Sequence, residues 1–408
     1  MRGAFPLQQT NDPGLKVLHI APTPFFSDRG CHVRVLSILK AIETCGGSNI
    51  LCTYPLGRDL PGLDIRRTSA VGGYERTEAG PQKGKILADI KLIMLALRIA
   101  FRERPDIIHA HLHEGALIGW LVRWALIWRR IPLAADLQGG LVGELADHGF
   151  FSRRGALGNP LRWIFRLIES FTLALPAHLF CSSGNSEQIF RNDYQIRASK
   201  LTCLDDRVDL AAYDPAHVTA VTSPFAEDVF VVTYSGSLLP IKGLDVLQEV
   251  ILALTKKRRD IGFLLVGYPI DAMAEFIEAN GIADRVALVG RVAFESLPDY
   301  LLSAHVGIEP KQSASGEGSG KLLHYMAAGL ALAAFPSEHN RTLAGDEALA
   351  QGNTAEALVA QIEALADDRA RCRATGLKNR ERTQPYSLQS AGIMIADVYQ
   401  NLGLAPQA

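Results

Sequence analysis

The sequence predicts an α/β protein of two doubly wound, parallel-sheet domains in tandem, and three observations carry that prediction. Short apolar runs alternate with segments of helical hydrophobic period. The alternation stops in a polar, proline-containing stretch at 205–227 and then restarts, and 408 residues exceed what a single core usually organises. Ligands of such sheets sit at the carboxyl ends of the strands, so the expected site is a cleft that the two domains face.

The first domain is expected over 1–205. Residues 1–14 lack the long apolar stretch of a secretory signal, and Asp12-Pro13-Gly14 reads as a lead-in to a strand at 16–21. A turn-rich loop at 22–30 follows, after which Val33, Leu36, Leu39 and Ile42 recur at helical spacing. Further strands are expected at 49–54, 106–111, 132–137 and 178–183, with helices at 87–103 and 115–128 between them. The second domain, 206–385, has expected strands at 229–235, 262–266, 285–289, 306–310 and 331–335 and helices at 244–255 and 319–328. The remainder, 386–408, holds an amphipathic helix at 387–402, and neither low-complexity sequence nor a solenoid-length repeat appears.

Composition narrows the function classes. Hydrophobic residues make up 48% and charged residues 21%, ordinary for a globular chain. The six cysteines lack close pairs, which fits a reducing cytoplasm better than a disulfide framework or a zinc knuckle. No segment reaches the roughly 18 apolar residues of a membrane span. Net charge is −1, but residues 1–203 carry 25 Lys+Arg against 17 Asp+Glu and the rest 17 against 26. The first half is thus the candidate for an anionic surface, whereas nucleic acid is not expected without a binding motif.

Ser319-Gly320-Lys321-Leu322-Leu323-His324-Tyr325-Met326-Ala327-Ala328-Gly329 reads as a helix built to receive an anion at its start. Ser319 is the expected N-cap, Gly320 admits a close ligand, Lys321 supplies a cation and Gly329 ends the helix; an ordinary core helix is the competing reading. Ser235-Gly236-Ser237 directly follows a strand and could form an anion-binding nest, with Lys242 close behind.

Taken in order, Tyr234-Ser-Gly-Ser-Leu238, Lys242-Gly243-Leu-Asp245, Leu265-Val-Gly267-Tyr268, Val289-Gly-Arg291-Val292 and the 319–329 segment resemble the family-4 retaining glycosyltransferases of the GT-B fold, two Rossmann-like domains facing a cleft. Asp205-Asp-Arg-Val-Asp-Leu210 resembles that family's interdomain segment and Tyr386-Ser387 the start of its helix crossing back to the first domain. The resemblance implies a metal-independent enzyme of the hexosyltransferase type. It would move a sugar from a nucleotide diphosphate sugar, a donor substrate and not a cofactor, to a hydroxyl acceptor with retention. It further implies donor contacts at Gly236, Ser237, Lys242, Gly267, Arg291, Val292, Ser319, Gly320, Lys321 and His324, with Lys242 stabilising the leaving diphosphate, and an acceptor-side loop at Asp28-Arg29-Gly30. That Gly30 simply supplies a positive φ is the alternative. The chain departs from the pattern in three places. Ser237 stands where relatives often carry arginine, His324 where they carry the ribose-gripping glutamate, a satisfied core histidine being the alternative there, and Gly316 where a second acid is common, with Glu317 one residue off that spacing and a candidate donor contact through slack in 313–318.

His109, His111 and His113 alternate at a strand end and so could face the cleft. A zinc site is one reading, opposed by the lack of a fourth ligand and by the third histidine lying past the strand; substrate contact or packing is the other. Gln138, before Gly139 and Gly140, ends the next strand, so Gln138 and His111 join Lys242 as candidate catalytic residues. Glu144, Asp147 and His148 could line the same opening. Arg123-Trp124, Trp128-Arg129-Arg130 and Arg162-Trp163-Ile-Phe-Arg166 mix cations with aromatics, as an anionic membrane interface does and as packed helices with snorkelling cations also do. The expected function is therefore glycosyl transfer, with a lipid-linked saccharide or polysaccharide precursor as acceptor and a peripheral position on the inner face of the membrane. A catalytically weakened binding or scaffold subunit and a nucleotide-sugar epimerase are the alternatives.

Overall fold

The computed structural model describes residues 14–77, 82–147, 149–214, 216, 218–311 and 319–403, the side chains of Glu144, Asp147 and Ala156 excepted. It divides into two compact units. The first holds the described residues to Ser182, Ser186–Leu204 and those from Ala391 on; the second holds Ser183–Asn185 and Asp205–Ser390.

The first unit is built on seven parallel strands: β1 (Lys16–Ala21), β2 (Ser48–Thr53), β3 (Asp64–Arg67), β4 (Ile107–His111), β5 (Leu133–Leu137), β6 (His178–Cys181) and β7 (Leu201–Cys203). They lie in the order β3-β2-β1-β4-β5-β6-β7, with Val17 opposite both Asn49 and Ile107. Its helices are α1 (Gly30–Thr44), α2 (Lys85–Glu103), α3 (Leu112–Ala125), α4 (Leu141–Asp147), α5 (Gly158–Ala174) and α6 (Gly184–Asn192), the last beginning in the second unit. The second unit has five parallel strands, β8 (Phe230–Ser237), β9 (Ile261–Tyr268), β10 (Val286–Leu288), β11 (Val306–Glu309) and β12 (Ala331–Ala334), ordered β10-β9-β8-β11-β12. It carries α7 (Leu244–Lys257), α8 (Asp271–Asn280), α9 (Leu297–Leu301), α10 (Lys321–Ala327), α11 (Glu338–Ala344), α12 (Ala355–Asp367) and α13 (Arg369–Arg382), and α14 (Leu388–Asn401) starts there and continues into the first unit. The expected two-sheet α/β architecture is what the chain adopts.

Alternation along the strands divides the first unit's core. Leu18, Ile20, Ile108 and Leu133 face Leu92 and Ala96 of α2 and Val122 of α3. Val17, Ile107 and Ala134 face the other way, toward Ile38 and Ile42 of α1 and Ala391 and Ile395 of α14. Strands buried on both faces read as continuous apolar runs, which is why patterning finds them. The two strands it does not anticipate, β3 and β7, are the outermost ones; β3 is Asp64-Ile65-Arg66-Arg67, and edge strands are short and charged because one side stays open.

The face toward α1 and α14 also buries histidines. His19 Nδ1 lies 3.0 Å from His111 Nε2, and His109 Nδ1 lies 2.6 Å from the Tyr399 hydroxyl of α14. The His109 ring stacks between those of His111 and Phe180, at 4.9 and 5.4 Å. Burial, and then neighbouring histidines, hold His19 and His109 well below the ordinary imidazole range; burial alone leads the fall of His32 to about 3 and of His178 to about 4. Lowered folded values mean that the unfolded chain binds protons first as pH falls below about 6.5. Stability is therefore expected to decline on acidification from pH 7, by about 2 kcal/mol per buried histidine at about pH 5. Denaturant melts at the two pH values check this, and equal midpoints would refute it.

Candidate functional site

In the second unit the expected donor-side residues gather at the carboxyl ends of β8, β9 and β11. Gly236 near the end of β8 has φ +124°, and a Cβ built on it would stand 3.2 Å from Cδ of Lys321, so glycine there leaves room for the lysine stem. Gly267 lies opposite in the β8–β9 register and approaches so closely that its Cβ would meet the Gly236 carbonyl oxygen at 1.9 Å. Ser237 accepts the Tyr234 hydroxyl on its carbonyl at 2.7 Å. Lys242 closes the 3-10 turn Pro240–Lys242, and Gly243, at φ +84°, abuts the Pro310 carbonyl just past β11. The Lys242 turn is thus pinned against the β11 end. Arg291 lies over the ring of Tyr268, which ends β9, at 4.5 Å, and Val292 beside it is half-buried.

The residue at the centre of this group is one that sequence reading gave no role. Glu309 ends β11, is 2% exposed, and accepts from Ser319 Oγ at 2.6 Å and from the Lys311 backbone N–H at 3.1 Å. Lys321 Nζ stands 3.0 Å from its Oε2 and 4.3 Å above the Tyr234 ring, an ion pair without a well-aligned hydrogen bond. Burial opposes both charges, but each sustains the other: Lys321 draws Glu309 below the usual carboxylate range and Glu309 raises Lys321. Tyr325 completes the support, its hydroxyl oxygen accepting from the Ser235 N–H at 2.8 Å.

Three expectations change here. Ser319 is not the N-cap: α10 begins at Lys321 after Gly320, with no side-chain cap, because the Ser319 hydroxyl serves the buried carboxylate. Lys321 is not a cation awaiting an anion, since Glu309 already balances it. His324 does not point at an open ribose position in this structure. Its Nδ1 meets the Tyr213 hydroxyl at 2.9 Å, Phe294 packs edge-on at 5.4 Å, and burial lowers its pKa to about 4, so it is neutral. Gly316 and Glu317 lie outside the described residues.

In the first unit, Gln138 and the start of α1 come together, Gln138 Nε2 donating to the Cys31 carbonyl at 3.2 Å. Gly30 is exposed and opens α1 without a positive φ; that angle belongs to Asp28, at +53°, whose carboxylate accepts from Arg58 at 2.8 Å. His111, expected at the reacting centre, is fully buried. It sits behind Asp136, with 3.7 Å between Nδ1 and Oδ2, and Asp136 is gripped by Arg34 at 2.6 Å. Burial works against that carboxylate, yet the Arg34 charge and the hydrogen bonds hold it far below its ordinary value. His111 is therefore a support for Asp136. His113 lies past the strand, after Leu112 at φ +66°, and meets Thr172 Oγ1 at 3.1 Å and the Gly139 carbonyl at 3.2 Å. Among the described residues no group of three or more His, Cys, Asp or Glu could hold a metal ion. Of Glu144, Asp147 and His148, no described side chain remains.

Residues 229–368 match the family model described as glycosyl transferases group 1, and residues 26–204 match that of the glycosyl transferase 4-like domain. No curated protein matches the chain in sequence. Among solved structures, sucrose-phosphate synthase from Thermosynechococcus elongatus is similar at TM-score 0.73 and 16% identity, covering 95% of this chain and 99% of that one. Anabaena HepE in complex with UDP-glucose gives 0.67 and 15%, covering 95% and 100%. WaaG, a glycosyltransferase involved in lipopolysaccharide biosynthesis, gives 0.67 and 14%, covering 94% and 99%. Two parallel-sheet units that carry these matches define a glycosyltransferase of the GT-B fold. Within that class, the chain belongs to the group 1, or family-4, glycosyltransferases.

The Glu309–Lys321 pair carries a stability test. Glu309→Ala strands a buried ammonium and is expected to cost about 3–5 kcal/mol, whereas Glu309→Leu combined with Lys321→Met should recover most of that loss. Denaturant unfolding of the single and double variants measures it. Additive losses would show that the two groups are not coupled.

Proposed function

We propose that the chain transfers a hexosyl group from a nucleotide diphosphate sugar to a hydroxyl acceptor, with retention and without a metal ion, the acceptor being a lipid-linked saccharide or polysaccharide precursor at the inner face of the membrane. The observation that supports it best is the strand-end group of Gly236, Gly267, Lys242 and Lys321, where two glycines clear the backbone and two cations stand close to one loop. A diphosphate fits that chemistry. Its arrival would compete with Glu309 for Lys321, so the lysine would be released to the leaving group only when donor is bound. In the transfer itself the acceptor oxygen bonds to the anomeric carbon as the bond to the diphosphate oxygen breaks. The acceptor proton passes to the departing diphosphate on that same face, and no protein nucleophile is required. Gln138 is the first-unit candidate for contact with sugar or acceptor. Because an Anabaena relative was solved with UDP-glucose, UDP-sugars come first in a donor screen.

A second reading is a GT-B binding subunit with weakened turnover. It is favoured by the Glu309 partner of Lys321 and by His324 turned to Tyr213. Mass spectrometry of products from UDP-sugars and membrane extract separates the two, since a binding subunit makes none.

Lys242→Ala is expected to lower turnover by about 10²- to 10³-fold with the fold intact, because a charge-assisted contact to a leaving diphosphate is worth about 3–4 kcal/mol. Wild-type rates would remove Lys242 from the mechanism. If donor binding turns the side chain at 324 from Tyr213 toward the ribose, His324→Glu is expected to tighten UDP binding in calorimetry, since a carboxylate can accept both ribose hydroxyls. Unchanged or weaker binding would leave His324 as a core residue.

A further inference from the structure

We infer that the outer face of α2, α3 and α5 in the first unit is a docking surface for an anionic lipid bilayer. The inference rests on the lipid-linked acceptor proposed above only for its purpose, not for its evidence. On α5, Trp163, Leu167 and Phe171 recur at four-residue spacing beside Ile164 and Ile168, and all five are exposed. On α2, Ile86, Ile90 and Met94 form a second exposed stripe at the same spacing. Between them, Trp124 at the end of α3 and Trp128 in the turn Ile127–Arg129 are 64% and 66% exposed. Such stripes normally mark the buried side of a helix.

These stripes form one face. Buried residues of α2, α3 and α5 enter the same core cluster, so the helices line one side of the sheet. Trp120 of α3 meets Phe171 of α5 edge-on at 6.2 Å, and Arg129 donates at 2.9 Å to the Ala100 and Phe101 carbonyls of α2. A cavity of about 420 Å³ opens on this face, lined by Trp120, Arg123, Trp124, Ile127 and Arg130.

Charge selects the occupant. Arg98, Arg102, Arg130, Arg154 and Arg162 are exposed on or beside these elements, while their carboxylates are engaged within the unit. Asp89 accepts from Tyr54, Glu114 pairs with Lys85, and buried Glu169 accepts the Leu141 and Val142 N–H groups. A second copy of this face would set arginine against arginine around an apolar centre. An anionic bilayer offers phosphates to the arginines and an acyl boundary to the tryptophans.

Flotation of the full chain with vesicles tests this without donor or acceptor. Binding to phosphatidylcholine vesicles containing phosphatidylglycerol is expected at low salt, weakening as salt rises, and should exceed binding to phosphatidylcholine alone by about tenfold or more. Trp163→Ser with Leu167→Ser, and separately Arg130→Glu with Arg162→Glu, should each reduce it by about tenfold or more, with circular dichroism and melting unchanged. Absence of flotation, equal binding to neutral vesicles, or full binding by both folded variants overturns the inference. So does a concentration-dependent dimer in sedimentation that Trp163→Ser abolishes. Transfer to a detergent-solubilised acceptor needs no bilayer, so failure of the transferase reading would show there and not in flotation.

Discussion

Each unit buries a carboxylate at the carboxyl end of a parallel strand, and the need to pair that charge fixes what surrounds it. Asp136 in β5 takes Arg34 from α1; Glu309 at the end of β11 takes Lys321 from α10. An unpaired charge in such a position would be expelled or neutralised, so the helix supplying the cation is held in register with the strand supplying the anion. In the second unit this explains Gly236 and Ser319, one clearing space for the lysine stem and the other spending its hydroxyl on the acid. In the first it explains why His111 is drawn inward. Both pairs occupy the strand ends at which doubly wound sheets meet ligands, so the groups that steady the fold also set the charge any ligand encounters.

Much of this architecture was legible in the sequence, and the divide between what was and was not follows from burial. Central strands such as 16–21 and 306–310 carry apolar side chains on both faces and stand out; the outer strands β3 and β7 do not. The ordered motifs from Tyr234 to Gly329 located the donor-side loops because glycines at tight approaches leave a mark in sequence. Gly267 is one, with no space for a Cβ. Pairing leaves no such mark. Nothing local tells that Glu309 closes on Lys321 twelve residues later, that Tyr213 takes His324, or that Arg34 reaches Asp136 across 102 positions. The one available signal was an acid ending an otherwise apolar strand, Val306-Gly-Ile-Glu309, which has no reason to be buried without a partner.

The two sides of the first unit's sheet differ in character. Toward α1 and α14 the core mixes aliphatic residues with His19, His109 and His111 in stacked, hydrogen-bonded contact. Toward α2, α3 and α5 it is apolar, aliphatic residues joined by Tyr54, Tyr74 and Phe190 with no histidine among them, and the apolar pattern continues to the outside of those helices. Polarity has thus moved inward on one side as hydrophobicity has moved outward on the other. Among the described residues no helix is long and apolar enough to cross a membrane, so that outward apolar pattern belongs to surfaces of helices and not to a span.

The return of α14 to the first unit bears on the order in which the protein is made. Tyr399 closes on His109, Gly392 admits the Ala41 carbonyl where a Cβ would stand 2.4 Å from it, and Ala391, Ile395 and Val398 complete the cluster around Val17, Ile38 and Ile107. Those residues leave the ribosome only after all of the second unit. The first seven strands must therefore wait, with one sheet face incompletely covered, through the synthesis of an entire second core. The later part of the chain is free to fold first, and the earlier part is finished last.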